Sequence, residues 1–130
     1  MPFVEYRTYG GIHGEDYCLD NIICWAKMIL EFFLYTRDDR WVTAEKLSAV
    51  EESTDYIINH MRTRSNPSLV ETGVEGDWTE NTDWNADNSN TNACLIHCLS
   101  LLVETERALG HKAKAKKYGT IKEEIRQNFN

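Results

Sequence analysis

The sequence contains little proline, little basic charge and no long apolar run. Only two of its 130 residues are Pro and 42% are hydrophobic, which excludes a disordered or low-complexity chain. Its 14 Lys and Arg are outnumbered by 21 Asp and Glu and form no basic stripe, so we expect no nucleic-acid partner. The longest apolar stretch, 22–35, is interrupted by Lys27 and Glu31 and is shorter than the ~18 residues that span a bilayer, so we expect no membrane segment.

The N-terminus also lacks the basic and apolar regions of a signal peptide. We therefore expect a cytoplasmic protein, or a piece of a longer chain whose targeting segment lies elsewhere. The length predicts a single domain over residues 1–130. The four cysteines are not spaced as in a disulfide scaffold, and three of them fall in apolar helical runs, where a reduced buried thiol is the ordinary interpretation. They are Cys18, Cys24, Cys94 and Cys98.

Hydrophobic periodicity predicts an all-α chain of four helices, at about 20–35, 43–61, 91–109 and 113–129. Asp20 and Thr43 are predicted N-caps of the first two helices, and Gly110 is predicted to follow the third as its C′ residue. The first and third helices are apolar on almost every side and are predicted to be buried on almost every side, whereas the second and fourth are amphipathic. This alternation predicts two consecutive antiparallel hairpins, each with one inner and one outer helix.

Two hairpins alone cannot cover both sides of two apolar inner helices. We therefore expect the chain either to form a homo-oligomer or to be part of a larger closed toroid of hairpins. An ordinary four-helix bundle is the alternative, and it would require four similar amphipathic helices, which the sequence does not have.

The segment 62–90 between the hairpins has no clear periodicity, and loops of this length tend to be functional. Within it, 76–88 holds four carboxylates and the two tryptophans Trp78 and Trp84. Trp is costly to expose, and carboxylates beside flat aromatic faces suit a polyhydroxylated ligand. We therefore predict one wall of a carbohydrate-binding site; the alternative is a solvated acidic loop without catalysis.

Several short motifs occur in order over residues 13 to 130. They are Asp20 opening an apolar helix with Trp25, the corner Leu34-Tyr35-Thr36-Arg37-Asp38, the loop Gly76-Asp77-Trp78, then Asn92-Ala93, Leu109-Gly110-His111-Lys112-Ala113, Ile121 and Phe129-Asn130. In this order, and with two hairpins, they resemble the six-hairpin glycosidases, which are built on an (α/α)6 toroid. Gly76-Asp77-Trp78 is similar to the "GDW" loop of the α-L-rhamnosidase-like group.

The resemblance implies sugar contacts for Asp77 and Trp78. It also implies that the acid opening the preceding inner helix faces the mouth of the toroid, and Asp20, Glu15 and Asp16 remain open for this role. His13 lies beside them in a glycine-rich turn and is a further candidate contact. The family's upstream catalytic stretch and its distant second catalytic carboxylate have no counterpart here, so the resemblance implies a fragment of the fold.

Glycoside hydrolysis ordinarily uses two carboxyl groups, one of which is kept protonated. Glu80, between Trp78 and Trp84, is the best-placed acid for this role; Asp77 is expected to stay ionised and bind sugar hydroxyls, and Glu15 is a third catalytic candidate. The sequence thus predicts a fragment of a glycoside hydrolase that carries part of a sugar site and is not catalytically complete alone. The alternative is a small helical scaffold that oligomerises through apolar helices and has no enzymatic activity.

Metal binding is the other use for these residues. Asp83-Trp84-Asn85-Ala86-Asp87-Asn88 starts like a calcium loop but has no Gly at position six, and position twelve is Cys94 instead of Glu. Cys94, His97 and Cys98 share a helical turn and could bind zinc with Cys18 or Cys24, but the usual tight spacings are absent and packed core is favoured. We expect no metal ion and no cofactor, and we expect His13 and His111 to be solvent-exposed loop residues.

Overall fold

The computed structural model describes residues 19–38, 40, 43–60, 68–70 and 89–129. Its elements over these ranges are the four helices α1 (Leu19–Thr36), α2 (Ala44–His60), α3 (Ser89–Ala108) and α4 (Lys112–Asn128). The all-α prediction is confirmed, and every predicted helix boundary lies within two residues of the observed one. Asp20 lies inside the first turn of α1 and not at its N-cap, because the helix begins at Leu19.

The corner between α1 and α2 is built from local hydrogen bonds. Thr36 donates its hydroxyl to the Phe32 carbonyl at 2.7 Å and accepts the Asp38 N–H at 3.1 Å. Arg37 ends α1 in the left-handed region, with φ 55°. On the other side of the corner, the Thr43 hydroxyl accepts the Lys46 N–H at 3.3 Å, so Thr43 caps α2 as predicted.

The turn between α3 and α4 is a Schellman motif. Gly110 adopts φ 80°, its N–H donates to the Arg107 carbonyl at 3.1 Å, and the His111 N–H donates to the Glu106 carbonyl at 2.8 Å. Gly110 is therefore the C′ residue that the sequence predicts. Because the turn is so short, α4 folds back antiparallel against α3.

Two ion pairs between the outer helices fix the relative direction of the hairpins. Lys114 Nζ lies 2.8 Å from Glu51 Oε2, and one turn further along both helices Lys117 Nζ lies 2.7 Å from Asp55 Oδ2. Since residue numbers rise together across these contacts, α2 and α4 run parallel. Each is antiparallel to its own inner helix, so α1 and α3 also run parallel, packed side by side, with their N-termini at the same end of the protein.

The core lies mainly between the inner helices and the inward faces of the outer ones, with Leu30, Val50, Leu99, Leu102 and Ile125 fully buried. One face of α1 is not covered, contrary to the prediction that this helix is buried on almost every side. Its large side chains Met28, Phe32 and Tyr35 are 67%, 43% and 93% exposed. Within the described ranges, no helix is both long and apolar enough to cross a membrane.

Candidate functional site at the N-terminal ends of α1 and α3

The described part of the candidate site is the place where the interhelical segment meets α3. Asn92, in the first turn of α3, is 1% exposed, and its side chain bonds both backbone groups of Val70. The Val70 N–H donates to Asn92 Oδ1 at 3.0 Å, and Asn92 Nδ2 donates to the Val70 carbonyl at 2.9 Å. An amide side chain that pairs with a backbone amide in this way mimics one rung of a β-ladder.

Packing reinforces this anchor. Leu69 and Val70 are both buried and belong to the same hydrophobic cluster as the inner helices. The chain therefore leaves Val70 and enters α3 at Ser89 from the same end of the protein. Residues 71–88, which contain the loop with the two tryptophans, are connected at both ends to the first turns of α3.

Chain connectivity brings a second predicted segment to this end. Because α1 and α3 are parallel neighbours, the chain enters α1 at Leu19 at the same end at which it enters α3. Asp20 lies in the first turn of α1. The remaining predicted site residues lie outside the described residues: His13, Glu15, Asp16, Asp77, Trp78, Glu80 and Trp84.

The described residues do not support the zinc alternative. Among them, no three His, Cys, Asp or Glu side chains are close enough together to hold a metal ion. Burial raises the pKa of Cys98 to about 12, so without a metal ion its sulfur is a neutral thiol. Cys24 is exposed and Cys94 is half-buried. The expectation of buried cysteines therefore holds for Cys98 and is wrong for Cys24. Cys18 and the calcium alternative at 83–88 lie outside the described ranges.

Sequence reasoning did not assign a role to two buried polar residues of α3. Asn92 entered only as part of a motif, although a buried Asn in a first helical turn is a signal for an anchor of this kind. Nothing in the local sequence singles out Glu106, yet it is fully buried, and His111, predicted to be a solvent-exposed loop residue, lies 2.6 Å from it. These two residues lie at opposite ends of α3.

The comparison with known families agrees with this architecture. Residues 17–130 match the family model described as the bacterial alpha-L-rhamnosidase 6 hairpin glycosidase domain. No match was found among curated proteins or among solved structures.

Proposed function

The chain belongs to the bacterial alpha-L-rhamnosidase six-hairpin glycosidase family, and on this premise we propose that it carries part of a sugar-binding site at the N-terminal ends of α1 and α3. The observation that supports this most directly is the Asn92–Val70 anchor, which connects the loop containing Asp77 and Trp78 to the first turn of α3. The parallel packing of α1 brings the segment containing Asp20 to the same end.

In this proposal each type of side chain has a different role in binding the sugar. Trp78 and Trp84 provide flat apolar faces against which sugar rings stack, and Asp77 accepts hydrogen bonds from hydroxyl groups. His13, Asp16 and Asp20 add polar contacts from the α1 side. Glu80 is the proposed general acid, with Asp77 or Glu15 as the opposing carboxylate. We propose that these residues bind a sugar in the chain alone, while complete hydrolysis needs further catalytic groups.

Tryptophan fluorescence tests the binding step. We expect one sugar from a panel of neutral and acidic monosaccharides that includes L-rhamnose to quench the fluorescence saturably. The quenching should be lost in Asp77→Ala and kept in Asp87→Ala, a charge-matched change in the same loop. A Trp78→Phe, Trp84→Phe double variant identifies the reporter, since Trp25 and Trp41 remain. If no sugar in the panel quenches the fluorescence, the proposal is contradicted.

The anchor provides a test that is independent of loop chemistry. Asn92→Ala removes both bonds to Val70 without altering a proposed sugar contact. We expect it to weaken sugar binding, measured as a right shift of the same quenching curve, while far-ultraviolet circular dichroism still reports the four helices. A quenching curve that is unchanged in Asn92→Ala would show that the anchor does not contribute to sugar binding.

The second candidate function is a helical scaffold that self-associates, and it is favoured by the uncovered face of α1. Met28, Phe32 and Tyr35 repeat at i, i+4 and i+7, so they form one apolar stripe on the surface. We propose that a second copy of the chain covers this stripe. Sedimentation should show a concentration-dependent oligomer that Met28→Glu dissociates and that Glu104→Lys, on the exposed side of α3, does not. A stable monomer at high concentration would exclude it.

A further inference from the structure

The end of α3 opposite the proposed sugar site contains a buried acid held by a fixed turn. Glu106 is 0% exposed, and it is the one Asp, Glu, Lys or Arg in the buried class among the described residues. Its Oε2 lies 2.6 Å from His111 Nδ1, and its backbone carbonyl accepts the His111 N–H at 2.8 Å. The Schellman turn at Gly110 thus positions His111 against Glu106 through both main chain and side chain.

The other oxygen of this carboxyl group has an unusual environment. Glu106 Oε1 is buried and meets no hydrogen-bond donor within the described structure. Burial raises the pKa of Glu106, and Glu51, from α2 of the other hairpin, is the neighbouring carboxylate whose hydrogen bond and charge raise it further. Glu51 itself accepts two bonds of 2.8 Å from Lys114 Nζ. If Glu106 were ionised, a buried oxygen without a donor would face a second carboxylate, and both effects are unfavourable.

We propose that Glu106 carries a proton which it donates to Glu51, and that loss of this proton weakens the junction between the two hairpins. His111, as the neutral tautomer with hydrogen on Nδ1, donates to Glu106 Oε2. Glu106 Oε1–H donates to Glu51, and Lys114 donates to both oxygens of Glu51. One hydrogen-bond chain then links the α3–α4 turn to α2 and satisfies every buried polar atom in it.

The surrounding charges agree with a proton on Glu106 in place of Glu51. Burial, followed by the hydrogen bond and charge of Glu51, raises the pKa of Glu106 to about 7, and His111 opposes this rise only in part. Burial also tends to raise the pKa of Glu51, but the hydrogen bonds from Glu106 and Lys114 outweigh it and the net shift is downward. Glu51 therefore remains the ionised partner of Lys114.

Other charged side chains at the junction are paired with each other. Asp55 of α2 accepts two bonds from Lys117 of α4, at 2.8 and 2.7 Å. Tyr118 of α4 is 1% exposed, and burial followed by the charge of Asp55 raises its pKa, so it stays neutral. Among the carboxyl, lysine and tyrosine side chains described at this junction, Glu106 is the one whose pKa is raised to near neutral.

The sign of the effect follows from proton binding. Because the pKa of Glu106 is raised from 4.5 to about 7, the folded protein holds the proton more tightly than the unfolded chain. The stabilisation that this proton provides is fully present below about pH 4.5, and it is lost as the pH rises through about 7. The junction is therefore strongest in mild acid and weakest in alkali.

Chemical unfolding at a series of pH values tests the proposal. We expect the urea midpoint of the wild type to fall from about pH 5 to about pH 9. In Glu106→Gln, whose amide donates permanently to Glu51, this fall should be lost or strongly reduced, so that the variant exceeds the wild type in alkali. Glu104→Gln, the same charge change on the exposed side of α3, should keep the wild-type profile. Parallel curves for wild type and Glu106→Gln would overturn the proposal.

Infrared spectroscopy of the wild type provides a second test that does not depend on the variant folding. A protonated buried carboxyl group has a C=O stretch well separated from that of carboxylates. We expect this band at about pH 6, where free Glu is ionised, and we expect it to disappear in alkali. Its absence at about pH 6 would show that Glu106 is ionised and would overturn the proposal.

Discussion

Both ends of α3 are joined to distant residues by a buried polar side chain, but the two side chains carry different chemical groups. Each end buries one polar side chain that ties the helix to a distant part of the chain. At the N-terminal end Asn92 pairs with the backbone of Val70, and at the C-terminal end Glu106 lies between His111 and Glu51. Asn92 and Glu106 are 1% and 0% exposed, so burial does not distinguish them.

The difference lies in how the hydrogen atoms are supplied. The amide of Asn92 has its donor and acceptor fixed by covalent structure, and both bond to Val70, so this contact does not depend on pH. The carboxyl group of Glu106 acquires a donor only when a proton binds. The comparison indicates that a helix can have one end fixed by a contact that does not titrate, and the other end held by a contact that responds to pH.

The largest expected effect comes from breaking the fixed end. Asn92→Ala leaves the buried N–H and C=O of Val70 without partners, and we expect a loss of about 3 kcal/mol in the free energy of unfolding. Urea unfolding should show the same loss in mild acid and in alkali, because neither group titrates. Ser100→Ala, which removes a bond of 2.9 Å within α3 alone, is the matched control with a smaller loss. Equal losses in both variants would contradict the role of the anchor.

A smaller effect is expected at the C-terminal end of α3, where the Lys114 cation that binds Glu51 can be removed. Lys114→Met deprives Glu51 of two hydrogen bonds, and since that side chain is only 13% exposed we expect a loss of about 1.5 kcal/mol near neutral pH. The loss should grow in alkali, when Glu106 no longer donates to Glu51.

The neighbouring pair supplies the control for this variant. The Asp55 side chain is 34% exposed, so Lys117→Met should cost about 0.5 kcal/mol and be more strongly screened by salt. Both changes are read from urea midpoints at low and high ionic strength. If Lys117→Met costs as much as Lys114→Met, burial of the acceptor does not determine the strength of these pairs.

Local patterns in the sequence predict the helices and several of their ends. Thr43 and Gly110 have the residue types that a cap and a left-handed C′ position require, and apolar periodicity predicts which helices lie inside. These features depend on near neighbours in the chain. For the same reason the hairpin order could be inferred before any contact between the hairpins was known.

The contacts that join the hairpins cannot be predicted from the residues that neighbour them in the sequence. Glu106 and Glu51 both have ordinary amphipathic surroundings in sequence, and only the parallel packing of α2 and α4 places Lys114 beside one of them. Likewise, nothing near Val70 indicates that Asn92 will bond it. The candidate sugar residues 77–84 were predicted from composition and family resemblance, and they lie outside the described residues.

The turn at the responsive end can be weakened without touching its charges. Gly110 has φ 80°, and a Cβ added there would meet no atom within 4 Å, so Gly110→Ala is disfavoured by the backbone alone. We expect a loss of about 1 kcal/mol in urea unfolding. Because the turn positions His111 on Glu106, the pH profile should also change. A loss with an unchanged pH profile would show that the turn contributes stability without positioning the pair.

The smallest expected effect is the reverse change at the corresponding end of α1. Arg37 occupies the left-handed region at φ 55°, where a side chain is unfavourable, and its guanidinium lies 5.9 Å from the Phe33 ring centre. Arg37→Gly removes the backbone cost but also this contact and adds chain entropy in the unfolded state, so we expect a net gain of only about 0.5 kcal/mol. Lys27→Gly, in the middle of α1, is the control and should destabilise. If Arg37→Gly also destabilises, the contact with Phe33 outweighs the backbone conformation at this corner.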